Sequence, residues 1–162
     1  MPAKKKNVSE VSKSLPSAKN YKFAIIISDW NSEITHALFK GAYDFLIENA
    51  AKKSNIEVLH VPGSFELCVG AEWMARKNKF DAVICLGCVI QGETRHFEFI
   101  CQAVANGLTQ IGIKHAVPVI FGVLTTNNME QALARSGGKH GNKGIEAAAT
   151  ALLMAANKKS IQ

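Results

Sequence analysis

The chain has 162 residues, of which 48% are hydrophobic and 20% are charged, as expected for one folded domain with a substantial core. No apolar run approaches the roughly 20 residues that span a bilayer, and residues 1–20 lack the apolar stretch of a secretory signal. These observations predict a cytoplasmic protein with no membrane partner.

The net charge of +6 is concentrated near the ends of the chain. Residues 1–20 carry five lysines and one glutamate, and Lys158 and Lys159 add two more positive charges, so residues 21–157 are neutral. A basic arm on a neutral domain is typical of a solvated tail, and no nucleic-acid partner is predicted. We therefore divide the chain into a polar N-terminal arm, 1–20, and a domain, 21–159.

Four short, nearly continuous apolar runs predict buried strands. They are YKFAIIIS (21–28), IEVLHVP (56–62), DAVICLGCVI (81–90) and VPVIFGVLT (117–125). Apolar residues at helical spacing predict a helix after each strand and one more at the end: from Asn31 or Ser32, over 64–77, over 97–111, over 129–137 and over 144–159. This alternation predicts a single α/β domain, a four-stranded parallel sheet with helices on both faces.

Cys85 and Cys88 form a C-x-x-C pair inside the third predicted strand. Residues three apart in a strand point to opposite faces, and no second ligand pair for zinc follows. We expect both thiols to be core residues. The sequence also has no metal-ligand spacing and no dinucleotide fingerprint, so no metal site is predicted.

Ligands of parallel α/β sheets bind beyond the carboxyl ends of the strands, where QGETRHF (91–97) stands out. Gly92 permits a tight turn, and the amides of Glu93 and Thr94 would begin a helix, an arrangement that favours an anion. Thr94 is equally well explained as a helix cap. His96, in the first turn, is either a proton-transfer group or a structural residue.

The segment RSGGKHGNKG (135–144) concentrates glycine and basic residues. The segment does not match a P-loop. It either contacts a phosphate through Arg135 or forms a solvated loop. Trp30, Phe65 and Phe121 are expected at strand ends, where they would form one rim for a flat heterocycle, with Glu66 as an acceptor.

The segments VPGSFEL, DAVICLGCVIQGETRHFEF, FGVLTTNNMEQALARSG and GNKGIEAA together resemble the lumazine synthase family, over about 21–157. The resemblance implies flavodoxin-like layering. It also implies the condensation of 5-amino-6-(D-ribitylamino)uracil with 3,4-dihydroxy-2-butanone 4-phosphate to 6,7-dimethyl-8-ribityllumazine, the penultimate step of riboflavin biosynthesis. No metal or organic cofactor is implied.

The same resemblance implies a role for each site residue. Trp30, Ser64, Phe65, Glu66, Cys88, Val89, Ile90 and Phe121 would bind the ribitylaminouracil. Glu93, Thr94 and Arg135 would bind the butanone phosphate, and His96 would shuttle protons. Asn31 and Lys143 are looser candidates.

An oligomer is implied as well, because the family assembles pentamers and, in some members, icosahedral shells. The site would lie between subunits, the N-terminal arm would be flexible or exchanged as a strand, and riboflavin synthase is a candidate partner. Two alternatives remain open: a riboflavin synthase of the related fold, and a flavin-binding protein without turnover.

Overall fold

Four parallel strands form the central sheet of the computed structural model, which describes residues 15–162. They are β1 (Phe23–Ser28), β2 (Ile56–Val61), β3 (Ala82–Ile90) and β4 (Val119–Thr126). Their order is β2-β1-β3-β4, and every neighbouring pair is parallel. The sequence placed each of these strands to within two residues at either end, because an unbroken apolar run is the pattern of a strand buried on both faces.

Helices cover both faces of this sheet. They are α1 (Ser32–Glu48), α2 (Leu67–Arg76), α3 (His96–His115), α4 (Met129–Leu133) and α5 (Lys143–Ser160). The side chains of α1 and α5 share one hydrophobic cluster, and those of α2 and α3 share the other. The predicted α/β architecture is confirmed. No helix among residues 15–162 has the length and apolar character that crossing a bilayer requires.

Alternate residues of the central strands supply the two clusters. Ile25 packs with α1 and α5, whereas Ile26 packs with α2 and α3. Cys88 belongs to the first cluster and Cys85 to the second, so the two thiols point to opposite faces as predicted. Burial raises the pKa of both thiols, that of Cys88 to about 11. Both are core residues and not a redox pair.

The segment after β4 differs from the prediction. A helix over 129–137 is wrong: α4 ends at Leu133, and β5 (Ser136–Gly138) then pairs with β6 (Gly141–Asn142) in a small antiparallel hairpin. Gly137 and Gly141 have φ values of 130° and 74°, which side chains other than glycine rarely adopt. The basic glycine segment is therefore an ordered hairpin.

Asn142 fixes this hairpin against α1. Its side-chain amide donates to the carbonyl of Ala37 at 2.9 Å and of Ser136 at 3.3 Å, and its side-chain oxygen accepts from the amide of Gly144 at 2.8 Å. The last contact caps α5. One side chain thus joins the hairpin to the second turn of α1 and to the start of α5.

The predicted arm begins to contact the domain before residue 21. Ala18 is fully buried and donates its amide to the carbonyl of Asn49 at 2.8 Å, and Leu15 packs against the first cluster. The division at residue 20 and the strand exchange remain predictions, and residues 1–14 of the arm lie outside the described residues.

We predict that Gly144→Ala destabilises the fold. A Cβ at this position would lie 1.9 Å from the carbonyl oxygen of Leu38, so α5 must move away from α1. Overpacking of this kind costs about 1–3 kcal/mol or more, which exceeds the gain of up to ~1 kcal/mol from replacing a helical glycine. Chemical denaturation measures the change.

Gly92→Ala is the matched control, because a Cβ there meets no atom within 4 Å. Its free energy of unfolding should equal that of the parent. Equal stability of the two variants would contradict the close approach of α1 and α5.

Candidate active site

A cavity of about 670 Å³ opens at the carboxyl ends of β1 and β3. β1 lies between β2 and β3, so the chain leaves it in one direction to form β2 and returns on the other side to form β3. Such a reversal leaves a crevice between the two connections. Ten predicted site residues line it: Trp30, Asn31, Ser64, Phe65, Glu66, Cys88, Val89, Ile90, Thr94 and His96.

The turn after β1 presents Trp30 to the cavity. The amide of Trp30 donates to the carbonyl of Pro62 at 2.9 Å, and the side chain is 72% exposed. Asn31 is the N-cap residue of α1, but its side chain forms no capping hydrogen bond and its backbone is left-handed, with φ of 60°. Its side-chain amide instead donates to the carbonyl of Cys88 at 3.1 Å, which joins the ends of β1 and β3 across the crevice.

The loop before α3 forms the opposite wall. The backbone amide of Gln91 donates to the carbonyl of Thr126 at 2.8 Å. The side-chain amide of Gln91 donates to the carbonyl of Gly92 at 2.7 Å. Gly92 does not have a positive φ, so its backbone conformation does not itself require glycine. Within residues 15–162, the amides of Glu93 and Thr94 have no hydrogen-bond acceptor.

α3 begins at His96, one residue later than a Thr94 cap would place it. The Thr94 hydroxyl nevertheless accepts from the amide of His96 at 3.4 Å, so it satisfies one of the donors at the helix start. The two explanations of Thr94 are therefore compatible: the oxygen accepts from the helix, and the hydroxyl proton stays available to a ligand.

Ser64 contributes a buried hydroxyl to the cavity wall. The residue is 6% exposed, and its Oγ has no hydrogen-bond partner among the described residues. Gly87 of β3 makes room for it, since a Cβ at that glycine would lie 2.6 Å from the Ser64 oxygen. An unpaired buried hydroxyl is costly, which indicates a position where a ligand supplies the partner.

Three predicted residues lie on a different surface. Phe121, Arg135 and Lys143 line a second cavity of about 560 Å³ beside β4. The expectation that Phe121 ends its strand is wrong: it is the third residue of β4, and its side chain is 44% exposed. Within one chain the predicted aromatic rim is not assembled.

The two cations of this second surface differ in their partners. Lys143 forms an ion pair with Glu146 at 2.7 Å. The Arg135 guanidinium donates to the carbonyl of Gln131 at 3.0 Å and forms no ion pair within residues 15–162. Arg135 is thus held in place with its positive charge uncompensated, as an anion-binding residue requires. Glu93 is exposed and lies outside both cavities.

Comparison with known proteins matches residues 20–159 to the family model described as 6,7-dimethyl-8-ribityllumazine synthase. The chain belongs to this lumazine synthase family. A relative of that name from Cytophaga hutchinsonii is 56% identical over 93% of this chain and 95% of its own. Relatives of the same name from Christiangramia forsetii and Porphyromonas gingivalis are 50% and 52% identical, over 94% and 88% of this chain and 92% and 88% of their own.

The lumazine synthase cavity also contains residues that the sequence analysis did not assign to it. Phe97 and Ile100 were interpreted only as core positions of α3, yet both line the cavity. Their position in the first turns of a helix that begins at the crevice is the signal that could have identified them. Gly63 lines it as well, and a Cβ there would lie 3.0 Å from a carboxylate oxygen of Glu66.

We predict that Ser64→Ala leaves the free energy of unfolding unchanged or raises it. The substitution removes a hydroxyl that has no protein partner, so it eliminates a desolvation cost without breaking a hydrogen bond. Ser28→Ala is the control, because the buried Ser28 hydroxyl donates to the carbonyl of Trp30 at 3.3 Å. That control should lose about 0.5–1.5 kcal/mol. If Ser64→Ala lost as much free energy of unfolding as the Ser28→Ala control, the Ser64 hydroxyl would be hydrogen-bonded in solution.

Proposed function

We propose that this chain condenses 5-amino-6-(D-ribitylamino)uracil with 3,4-dihydroxy-2-butanone 4-phosphate to 6,7-dimethyl-8-ribityllumazine, releasing phosphate and water. The observation that carries the proposal is the cavity at the β1–β3 crevice, which combines an exposed aromatic platform, the unpaired amide of Thr94 just before a helix and an imidazole. Membership of the 6,7-dimethyl-8-ribityllumazine synthase family supports this reaction. The riboflavin synthase and flavin-storage alternatives receive no support from the relatives.

The ribitylaminouracil fits the wall formed by β1, β3 and the start of α2. Trp30 offers its ring for stacking, and the end of β3 offers backbone groups of Cys88, Val89 and Ile90 to the edge of the pyrimidine. Ser64 and Glu66 supply a hydroxyl and a carboxylate to the ring and the ribityl chain. The unpaired Ser64 hydroxyl therefore gains a partner when this substrate binds, and Ser64→Ala should weaken its binding.

The phosphate of the second substrate fits the loop before α3. The amides of Glu93 and Thr94, the Thr94 hydroxyl and the positive end of the α3 dipole all favour an anion at this point. A phosphate there would place the carbon chain of the butanone beside Trp30 and the pyrimidine amine.

His96 is the residue of the cavity suited to moving protons. The reaction forms an imine between the pyrimidine amine and the butanone carbonyl, eliminates phosphate and closes a ring, and each step transfers a proton. Imidazole accepts and donates protons near neutral pH, and a positioned acid–base group contributes typically ~10²–10⁴-fold. Holding the two substrates together contributes on the order of 7–11 kcal/mol, so positioning carries most of the rate.

A complete site requires a second subunit. Arg135 and Phe121, the expected phosphate cation and ring cover, line a separate surface of the same chain. We infer that this surface completes the cavity of a neighbour. Exposed large apolar residues on α2 and α3, among them Trp73, Phe99 and Ile113, support an extensive interface. A pentamer, an icosahedral shell, a riboflavin synthase partner and a cytoplasmic location remain predictions.

The activity assay supplies both substrates and follows lumazine absorbance; absence of lumazine would contradict the proposed function. In this assay we predict that Arg135→Ala raises the KM for the butanone phosphate by roughly ten- to a hundred-fold, since a hydrogen bond to a charged group is worth about 1.5–3 kcal/mol. The KM for the pyrimidine should change little.

Lys139→Ala is the matched control, because it removes an exposed cation of the same hairpin whose nearest carboxylate, Glu130, is 3.9 Å away. Its kinetics should equal those of the parent. An equal rise in both Michaelis constants of Arg135→Ala would exclude a phosphate-specific role.

Sharing of the site is tested by mixing chains. One chain carries Thr94→Asp with His96→Ala, which damages the cavity, and the other carries Arg135→Glu, which reverses the charge of the second surface. Each should be nearly inactive alone. In coexpressed, randomly mixed rings, about a quarter of the interfaces join an intact cavity to an intact Arg135, because two one-half chances must coincide. Mixed assemblies without recovered activity would place the whole site within one chain.

A further inference from the structure

A cluster of two histidines and one aspartate lies on the surface beside the cavity. Asp29, His36 and His60 each place one donor atom within 4.8 Å of the other two. An oxygen of Asp29 is 2.7 Å from Nδ1 of His60 and 3.5 Å from Nε2 of His36, and the two imidazole rings meet edge to face. All three side chains are about half exposed.

The backbone of the fold holds these residues together. Asp29 directly follows β1, and its amide donates to the carbonyl of Val61 at 2.8 Å, which continues the β1–β2 ladder. His60 pairs in register with Ile27 of β1, and His36 lies in the second turn of α1. The three residues are separated by 7 and 24 positions in the chain, a spacing that matches no metal motif, so only the fold brings them together.

Two imidazole nitrogens and a carboxylate oxygen are a donor set preferred by first-row transition metals. Metal–ligand bonds of about 2.0–2.2 Å in a tetrahedron separate neighbouring ligand atoms by about 3.3 Å. The distances of 2.7 and 3.5 Å from the aspartate oxygen lie on either side of that value, and the donor atoms of the two imidazoles lie within 4.8 Å of each other.

We propose that Asp29, His36 and His60 form a surface site for a divalent transition-metal ion of the zinc class, with the remaining coordination positions open to water. The site is separate from the catalytic residues and takes no part in the condensation chemistry. A bound ion there would contradict the prediction, based on spacing alone, that the chain has no metal site.

A bound ion would brace one rim of the cavity. It would connect the end of β1, the second turn of α1 and β2, the three segments that surround the Trp30–Asn31 turn. Asn31 holds a left-handed conformation in that turn, a conformation that non-glycine residues adopt at a cost in energy. Fixing its flanking segments would therefore reduce the freedom of the turn that carries Trp30.

The test titrates the full, untagged chain in its native assembly with zinc chloride, by calorimetry at pH 7.5. We expect one ion per chain for the parent. His36→Ala and His60→Ala should each weaken zinc binding by at least about 10-fold. Removal of a residue that only supports a metal ligand already costs about 10–100-fold in affinity, so removal of a ligand itself should cost no less. His115→Ala is the matched control, because His115 pairs with a carboxylate, Glu72, at 2.8 Å but belongs to no group of three metal-ligand side chains within residues 15–162; its affinity should match the parent's.

Two further measurements keep the result independent of the calorimetry. Cobalt(II) should give visible absorption bands with the parent that are lost in His36→Ala, and zinc should raise the midpoint of thermal unfolding of the parent but not of His36→Ala. Because the three residues are exposed, folded variants are expected. Failure of the parent to bind one ion per chain, or unchanged affinity in both variants, would overturn the proposal, and either result would leave the proposed condensation untouched.

Discussion

The pairing of β1 with strands on both of its sides is the constraint on which the other features depend. All six residues of β1 are buried, and it is joined in parallel to β2 on one edge and to β3 on the other. Parallel pairing brings the three carboxyl ends to one edge of the sheet, and the reversal of strand order opens the crevice there. The turn carrying Trp30, the hydrogen bond from Asn31 to Cys88 and the loop before α3 all lie at this edge of the sheet.

The strands and the longer helices could be predicted from the sequence because their signal is local. Apolar runs predicted the strands, and apolar residues at helical spacing predicted α2, in which Leu67, Ala71 and Met74 are buried. The hairpin after α4 could not be predicted in this way. It depends on two glycines with positive φ and on contacts of Asn142 with α1, a helix about 100 residues earlier in the chain. The conformation of Asn31 was missed for a similar reason, since its side chain bonds to β3 and not to its own helix.

The same distinction between local and tertiary signals applies to the residues of the candidate site. Residues at the ends of β1 and β3 were predictable because the fold class itself directs attention to them. The separation of Arg135 and Phe121 from the cavity is a tertiary property, and composition and spacing contain no signal for it. The assignment of these two residues to the same reaction came from the family resemblance. Likewise, the cluster of Asp29, His36 and His60 arises only when β2 is placed beside β1.

If the proposed substrate pairs with the Ser64 hydroxyl, the cellular lifetime of the chain would depend on the supply of that substrate. The unpaired hydroxyl carries a desolvation cost, and a ligand that bonded to it would make the chain open less often. Proteases that cut opened chains degrade a protein in proportion to how often it opens. Chains made in excess of their substrate would therefore be cleared first, and abundance would follow metabolic demand without a dedicated regulator.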